Sequence, residues 1–176
     1  MGKKKVRPQV SRQVKNINIR CFEASDAETC FKIRSEAFIR RFYNELGART
    51  TSAGVNAFMP NDYVRMAQTT PFFVVEDSRS VIGFFTIKRK DALTAKIPLI
   101  YIDLNQLGKK IGRTLIEYIE HWVTANWPEV TALIIDTVIP EYNSGFYRKV
   151  GFTPVGNSNC DFPDMKVPAL RLEKKI

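Results

Sequence analysis

The segment LGKKIGRTLIEYIEHW, Leu107 to Trp122, sets Gly108 and Gly112 four residues apart at the head of an amphipathic helix, with Lys109, Lys110 and Arg113 beside them. An apolar run, IPLIYIDL, precedes it and reads as a strand. Free backbone amides at a helix start, together with the positive end of the helix dipole, form an anion site. The amides from Gly108 to Arg113 are therefore candidates to hold a phosphate or pyrophosphate, and the three cations add charge in the same place. Glycine also suits any strand-to-helix turn, so the ordinary reading stands beside the chemical one. The two best-known phosphate motifs do not fit. The turn lacks GxGxxG spacing, and a Walker A loop needs four residues between its glycines followed by Lys-Ser/Thr.

Other reactive side chains narrow the field. Cys21, Cys30 and Cys160 are odd in number and scattered, which predicts buried free thiols and neither a disulfide framework nor a CxxC pair. His121 is the single histidine and falls on a predicted helix behind Glu117 and Glu120. No zinc set and no histidine-based dyad follows, and no metal is expected.

Of the formal charge of +9, six units sit on Lys3, Lys4, Lys5, Arg7, Arg12 and Lys15. Residues 1–15 contain no acid and few apolar residues, so they are predicted to be a disordered basic tail, with 16–176 as a single domain. Such a tail can bind polyanions or act as a nuclear address, and nucleic acid enters as a partner only through it. There is no apolar run of membrane-spanning length. The N-terminus has no apolar h-region, and Val6 stands where a myristoylation motif wants Ser or Thr. A cytoplasmic protein with no membrane partner is the expectation.

The positioning elements follow from periodicity. INIRCFE alternates as a strand, and Ser25 with Glu28 predicts a capping box ahead of a long first helix. ELGARTTSAGVNAFMPND reads as irregular, and Asn61 or Asp62 is predicted to cap the short helix YVRMAQ. The run at 72–75, the polar turn EDSRS and VIGFFTI make a β-hairpin. IPLIYIDL follows, with Pro98 pointing to an edge or bulge. Then come the helix from about Ile111 to Asn126, the buried strand TALIIDTV, and EYNSGFYRKVGF as a short helix closed by Gly151. Weak strand signals lie at 152–155 and 167–172. The order implies an α+β domain built on a mixed sheet flanked by helices.

FYRKVGF (Phe146–Phe152), about thirty-five residues after the glycine turn and beyond another strand, completes a pair of segments that resembles the GNAT acetyltransferases. Members of that family carry a Q/R-x-x-G-x-G/A turn and a later LYEKLGF-like helix end. Gly112, Leu115, Tyr147, Gly151 and Phe152 carry the likeness, FFVVEDSRSVIGFFTI looks like the family's hairpin, and the strand order extends it from about Ile17 to Leu172. Three positions depart from the pattern. Leu107 stands at the Gln/Arg position, Lys110 at the first motif glycine, and Pro140 where many members place an asparagine, with Asn143 one helical turn before Tyr147.

The resemblance implies a GNAT-like fold with a central, mostly antiparallel sheet. It implies an N-acetyltransferase that moves an acetyl group from acetyl-CoA directly to the amine of a small molecule, peptide or protein. The pyrophosphate would lie on Leu107, Gly108, Lys109, Lys110, Ile111, Gly112 and Arg113, with Asn143 nearby. The pantetheine arm would run along the main chain of Ile100 and Ile102, and Tyr147 would protonate the departing thiolate. No side-chain base is assigned, because Lys96 and Pro98 occupy the strand face where many members carry Glu or His; Asp136, Glu76 or a water chain are the alternatives. The acceptor side falls to the first two helices, with Arg40, Arg41, Tyr43 and Glu45 as candidates. A non-catalytic acyl-CoA sensor on the same fold, or a tail-driven nucleic-acid adaptor, are the competing readings.

Overall fold

The computed structural model describes residues 17–138 and 140–176, with residues 140–144 described in backbone only. The predicted basic tail, residues 1–15, lies outside the described residues.

Two sheets meet along a split. The first has the order β1-β2-β3-β6 and is antiparallel throughout. It comprises β1 (Ile17–Cys21), β2 (Phe72–Asp77), β3 (Ser80–Thr86) and β6 (Ile100–Ile102). The second has the order β4-β5-β7-β9-β8, from β4 (Lys88–Arg89), β5 (Thr94–Lys96), β7 (Ala132–Thr137), β9 (Met165–Lys175) and β8 (Thr153–Phe162). Its one parallel pair is β5 with β7, and that pair is the reason a helical crossover is needed between them.

Strand β2 shows why the first sheet is covered on both faces. Successive side chains of a strand point to opposite sides. Phe72 and Val74 pack with Cys30, Ile33 and Tyr63, from α1 (Ala27–Glu36) and α3 (Pro60–Ala67). Phe73 and Val75 pack with Leu115, Ile116 and Ile119 of α4 (Ile111–Asn126). A strand buried on two faces reads as continuous apolar sequence, as FFVV does. The β2–β3 turn is a two-residue loop with Ser78 and Arg79 both at positive φ, 52° and 71°. That conformation matches the twist of a hairpin. At Gly83 a Cβ would stand 2.8 Å from the Tyr101 carbonyl oxygen, so glycine permits the close approach of β6.

Several local expectations change. The segment predicted to be irregular is largely α2 (Tyr43–Asn56), broken at Gly47 by φ 72°. It is joined to α1 by a wide π-helical turn over Ala37–Phe42. Polar, glycine-rich sequence folds as helix here because Gly54 lies against the Phe38 ring, where a Cβ would come within 2.2 Å. The first capping box lies at Glu23 and Asp26 rather than Ser25 and Glu28. Pro60 opens α3, while Asp62 accepts from the Met59 amide at 2.7 Å as the third helical residue instead of acting as the N-cap. The weak C-terminal signals become a long hairpin, β8 with β9. Of the cysteines only Cys30 is buried; Cys21 is exposed and Cys160 half-buried. Among the described residues, no helix is long and apolar enough to cross a membrane.

Candidate functional site

The split between the sheets occurs inside IPLIYIDL, which is one apolar run in sequence and two strand partnerships in space. The Ile97 amide donates to Ile134 of β7 at 2.9 Å, so the chain still belongs to the second sheet there. Two residues later the Leu99 carbonyl accepts from Thr86 of β3 at 3.0 Å, and the Leu99 amide donates to the Thr86 hydroxyl at 3.2 Å. Between them stands Pro98, which has no N–H to give either sheet. Strand β6 then pairs only with β3, leaving the main-chain edge of Ile100–Ile102 open toward β7.

A cavity of about 1120 Å³ fills the opening. Its walls include Ile100, Ile102, Leu107, Gly108, Lys110, Ile111, Gly112 and Arg113 from the predicted cofactor set, together with Tyr147. Lys109 is not in the wall; its ammonium donates to the Gln106 side chain at 2.8 Å. The side chain of Ile111 is core, 4% exposed, so only its amide is available to a ligand. The Asn143 side chain lies outside the described part of the structure.

The glycine turn acquires a specific shape. Asp103 caps a 3-10 turn at Leu104–Gln106 by accepting from the Asn105 amide at 2.8 Å. Gly108 (φ 80°) and Lys110 (φ 65°) both adopt the left-handed conformation, with Lys110 as the N-cap of α4. Among the described residues, the amides of Gly108 to Gly112 donate to no backbone carbonyl. This is the unmet donor set of a 16-residue helix, turned toward the cavity. Open strand edge and free amides together fit an elongated ligand with an anionic end. Gly112 has a packing role beside the phosphate contact its motif suggests. A Cβ there would stand 2.8 Å from the Phe146 ring, so glycine is needed for the packing of α4 against α5 (Pro140–Lys149). The Arg113 guanidinium donates to the Lys149 carbonyl at 3.1 Å, closing the end of α5.

Tyr147 reaches the cavity from α5 and is 7% exposed. Its ring is held between Phe146 and Phe152, with centroids at 5.1 and 5.6 Å. Gly151, at φ 97°, ends the helix, and the Phe152 amide returns to the Tyr147 carbonyl at 2.9 Å. Burial, and to a lesser degree the neighbouring Tyr101, pushes the hydroxyl's pKa above its ordinary value. The group is therefore a protonated donor throughout the neutral range.

The carboxylates considered as bases are engaged. Asp136, on β7, binds Lys96 at 2.7 Å, Arg171 at 2.8 and 3.1 Å, and the Ser158 hydroxyl at 2.8 Å. Burial alone would raise its pKa, but the hydrogen bonds from Arg171, Lys96 and Ser158 outweigh it and hold the carboxyl well below the usual range. These contacts tie β5, β7, β9 and β8 together across the cavity wall. Glu76 is paired with Arg20 and Asn18. Among the described residues no cluster could hold a metal ion.

On the other wall, the wide turn presents Ala37, Phe38, Arg41 and Phe42 to the cavity. Arg40, Tyr43 and Glu45 are exposed and outside it. The sequence reading missed Arg34, which is buried in this wall. A charged residue on the apolar stripe of α1, at helical spacing from Cys30 and Phe38, was the available signal.

A family model described as an acetyltransferase (GNAT) domain matches residues 68–154. A GCN5-related N-acetyltransferase from Rhodopseudomonas palustris has a similar structure, with TM-score 0.78 at 14% identity, over 94% of this chain and 100% of its own. The PaiA N-acetyltransferase from Thermoplasma acidophilum, solved in complex with coenzyme A, gives 0.75 at 19% identity, over 92% and 99%. A spermidine N-acetyltransferase chimera from Vibrio cholerae and hSSAT gives 0.67 at 17% identity, over 92% and 96%. No curated protein matches the chain in sequence.

Proposed function

We propose that the chain is a member of the GNAT superfamily and transfers an acetyl group from acetyl-CoA directly to the amine of an acceptor, a reading supported by the family match over residues 68–154 and by the shared fold. One observation carries the reading: the open edge of Ile100–Ile102, the free amides of Gly108 and Lys110–Gly112, and Tyr147 all belong to the wall of one cavity.

Acetyl-CoA supplies an activated acyl group on a leaving thiol. The chain's part is to bind and orient it and to manage protons. The amides at the head of α4 receive the pyrophosphate, with Lys110 adding a charge-assisted contact. The main chain of Ile100–Ile102 receives the pantetheine amides as a strand edge would. Tyr147 holds its proton at the place where the thiolate leaves. With Asp136 committed to two cations, the acceptor's proton departs to water or to a group of the acceptor itself.

Lys110 tests the binding half. It is exposed and lies in the cavity wall, so Lys110→Glu leaves the core intact and puts a like charge beside the pyrophosphate. Affinity for coenzyme A, measured by calorimetry, is expected to fall roughly 10- to 100-fold, the range of a lost charge-assisted hydrogen bond. Unchanged affinity would move the pyrophosphate elsewhere. Thiol release from acetyl-CoA with a panel of amines tests transfer. Binding with no release from any amine would favour a non-catalytic acyl-CoA sensor, the reading to which the committed state of Asp136 lends support. Deleting residues 1–15 is expected to leave both measurements unchanged.

A further inference from the structure

Arg34 is a buried cation whose charge the fold does not answer. It is 2% exposed and forms part of the cavity wall opposite the second sheet. One nitrogen, Nη1, donates to the Gly54 carbonyl. The rings of Phe38, Phe58 and Tyr101 surround the guanidinium, with centroids 4.8, 5.0 and 5.8 Å from its carbon. Nε has no hydrogen-bond partner, and among the described residues no carboxylate lies within ion-pair range. The Tyr63 hydroxyl is also buried without a partner, close enough to Arg34 for the guanidinium's charge to act on it.

A guanidinium has five N–H donors in a planar fork suited to a carboxylate. Bracing Gly54 and stacking on rings accounts for one donor and the two faces. It leaves Nε without an acceptor, and the charge without a carboxylate, in a place shielded from bulk water, where an unmet donor is costly. Isolated buried charges in proteins are ordinarily paired.

We propose that Arg34 anchors a carboxylate carried by the acceptor, so that the substrate class is an amine bearing a carboxylate rather than a polyamine. The inference rests on the acyl-transfer reading and names the acceptor within it. The charge of the wall agrees. Lys88 lies in the same cavity, and Asp136 is already shared between Lys96 and Arg171. Among the described residues Asp161 is the other carboxylate in the wall, and it is exposed. A polycation would enter against this excess, whereas a zwitterion brings an anion to Arg34 and keeps one amine for the thioester. The faces of Phe38, Phe58 and Tyr101, which could hold a cationic ligand, are already occupied by the Arg34 guanidinium.

The test is a binding ladder on the full chain. Coenzyme A is first titrated by calorimetry. The coenzyme-saturated protein is then titrated with ω-amino acids of increasing length, with the matching carboxamides, and with spermidine. At the best-fitting length the acid is expected to bind about 10- to 100-fold more tightly than its amide, and more tightly than spermidine. Arg34→Met should abolish the acid-over-amide preference without changing coenzyme A affinity, and Arg34→Lys should retain part of it. Equal binding of acid and amide at every length, tighter binding of spermidine, or a preference that survives Arg34→Met overturns the proposal. If Arg34→Met does not fold, the wild-type ladder decides alone. Failure to bind coenzyme A overturns the acyl-transfer reading and this one with it. Coenzyme binding without acid preference overturns the carboxylate anchor alone.

Discussion

Tyr147→Phe is expected to lower turnover by ~100- to 10,000-fold, the range of a positioned general acid, while coenzyme A binds as before. The ring packs against Phe146 and Phe152 and lies in the cavity wall, so phenylalanine keeps the packing and removes only the hydroxyl. An interaction needed chiefly as the thiolate departs lowers kcat and leaves ground-state binding alone. Steady-state thiol release and coenzyme A calorimetry on the two proteins measure both halves. Equal turnover would reduce Tyr147 to a core aromatic. The pH profile gives a second check. Because burial raises the hydroxyl's pKa, the donor stays protonated up to and beyond its ordinary value near ~10. An alkaline limb below that pH that persists in Tyr147→Phe would belong to another group, and one that disappears in the variant would contradict the raised pKa.

Asp136→Ala should cost about 2–4 kcal/mol of folding stability. Removing one member of a buried ion pair typically costs ~3–5 kcal/mol. The expected cost is set lower than that range because the side chains of Lys96 and Arg171 keep 34% and 32% exposure, so water recovers part of their charge. The carboxylate itself is 2% exposed, and its loss leaves two cations facing one another across β5, β7 and β9. The pH dependence has a definite sign. A carboxyl held below its ordinary pKa contributes stability that is fully present above the unfolded value near ~3.9, and that is lost as pH falls through the folded value. Denaturant titrations should therefore show the largest gap between wild type and variant at neutral pH, narrowing in acid. A gap that stayed constant into strong acid would mean that the loss came from packing rather than charge.

The two proposed halves of the site were unequally legible in sequence. Gly108, Lys110 and the apolar face of α4 act locally: a helix start exposes amides whatever surrounds it, and a left-handed residue followed by helical periodicity marks that start. The same holds for Gly151, which closes α5 through a bond only a few residues long. The acceptor wall is the opposite case. Arg40, Arg41, Tyr43 and Glu45 were its expected residues, and of these four only Arg41 reaches the cavity, because a π-helical turn shifts the helical phase between α1 and α2. Arg34 stands out in sequence only as a charge on the apolar stripe of α1; its surroundings are not legible there, since they come from Gly54, Phe58 and Tyr101 on other elements.

By itself the sequence determined what short-range physics controls: an α+β domain, a β-hairpin around a polar turn, strands alternating to opposite faces, and a glycine-shaped helix start behind an apolar strand. The tertiary structure decided what depends on partners distant along the chain. It split one apolar run at Pro98, because a residue without an N–H can serve neither of two diverging sheets. It gave Gly112 a packing contact with Phe146 that its motif does not foretell. It also converted Asp136 from a candidate base into an ion-pair clamp, because strands β5, β8 and β9 bring Lys96, Ser158 and Arg171 to a carboxylate that they surround only once the sheet is formed.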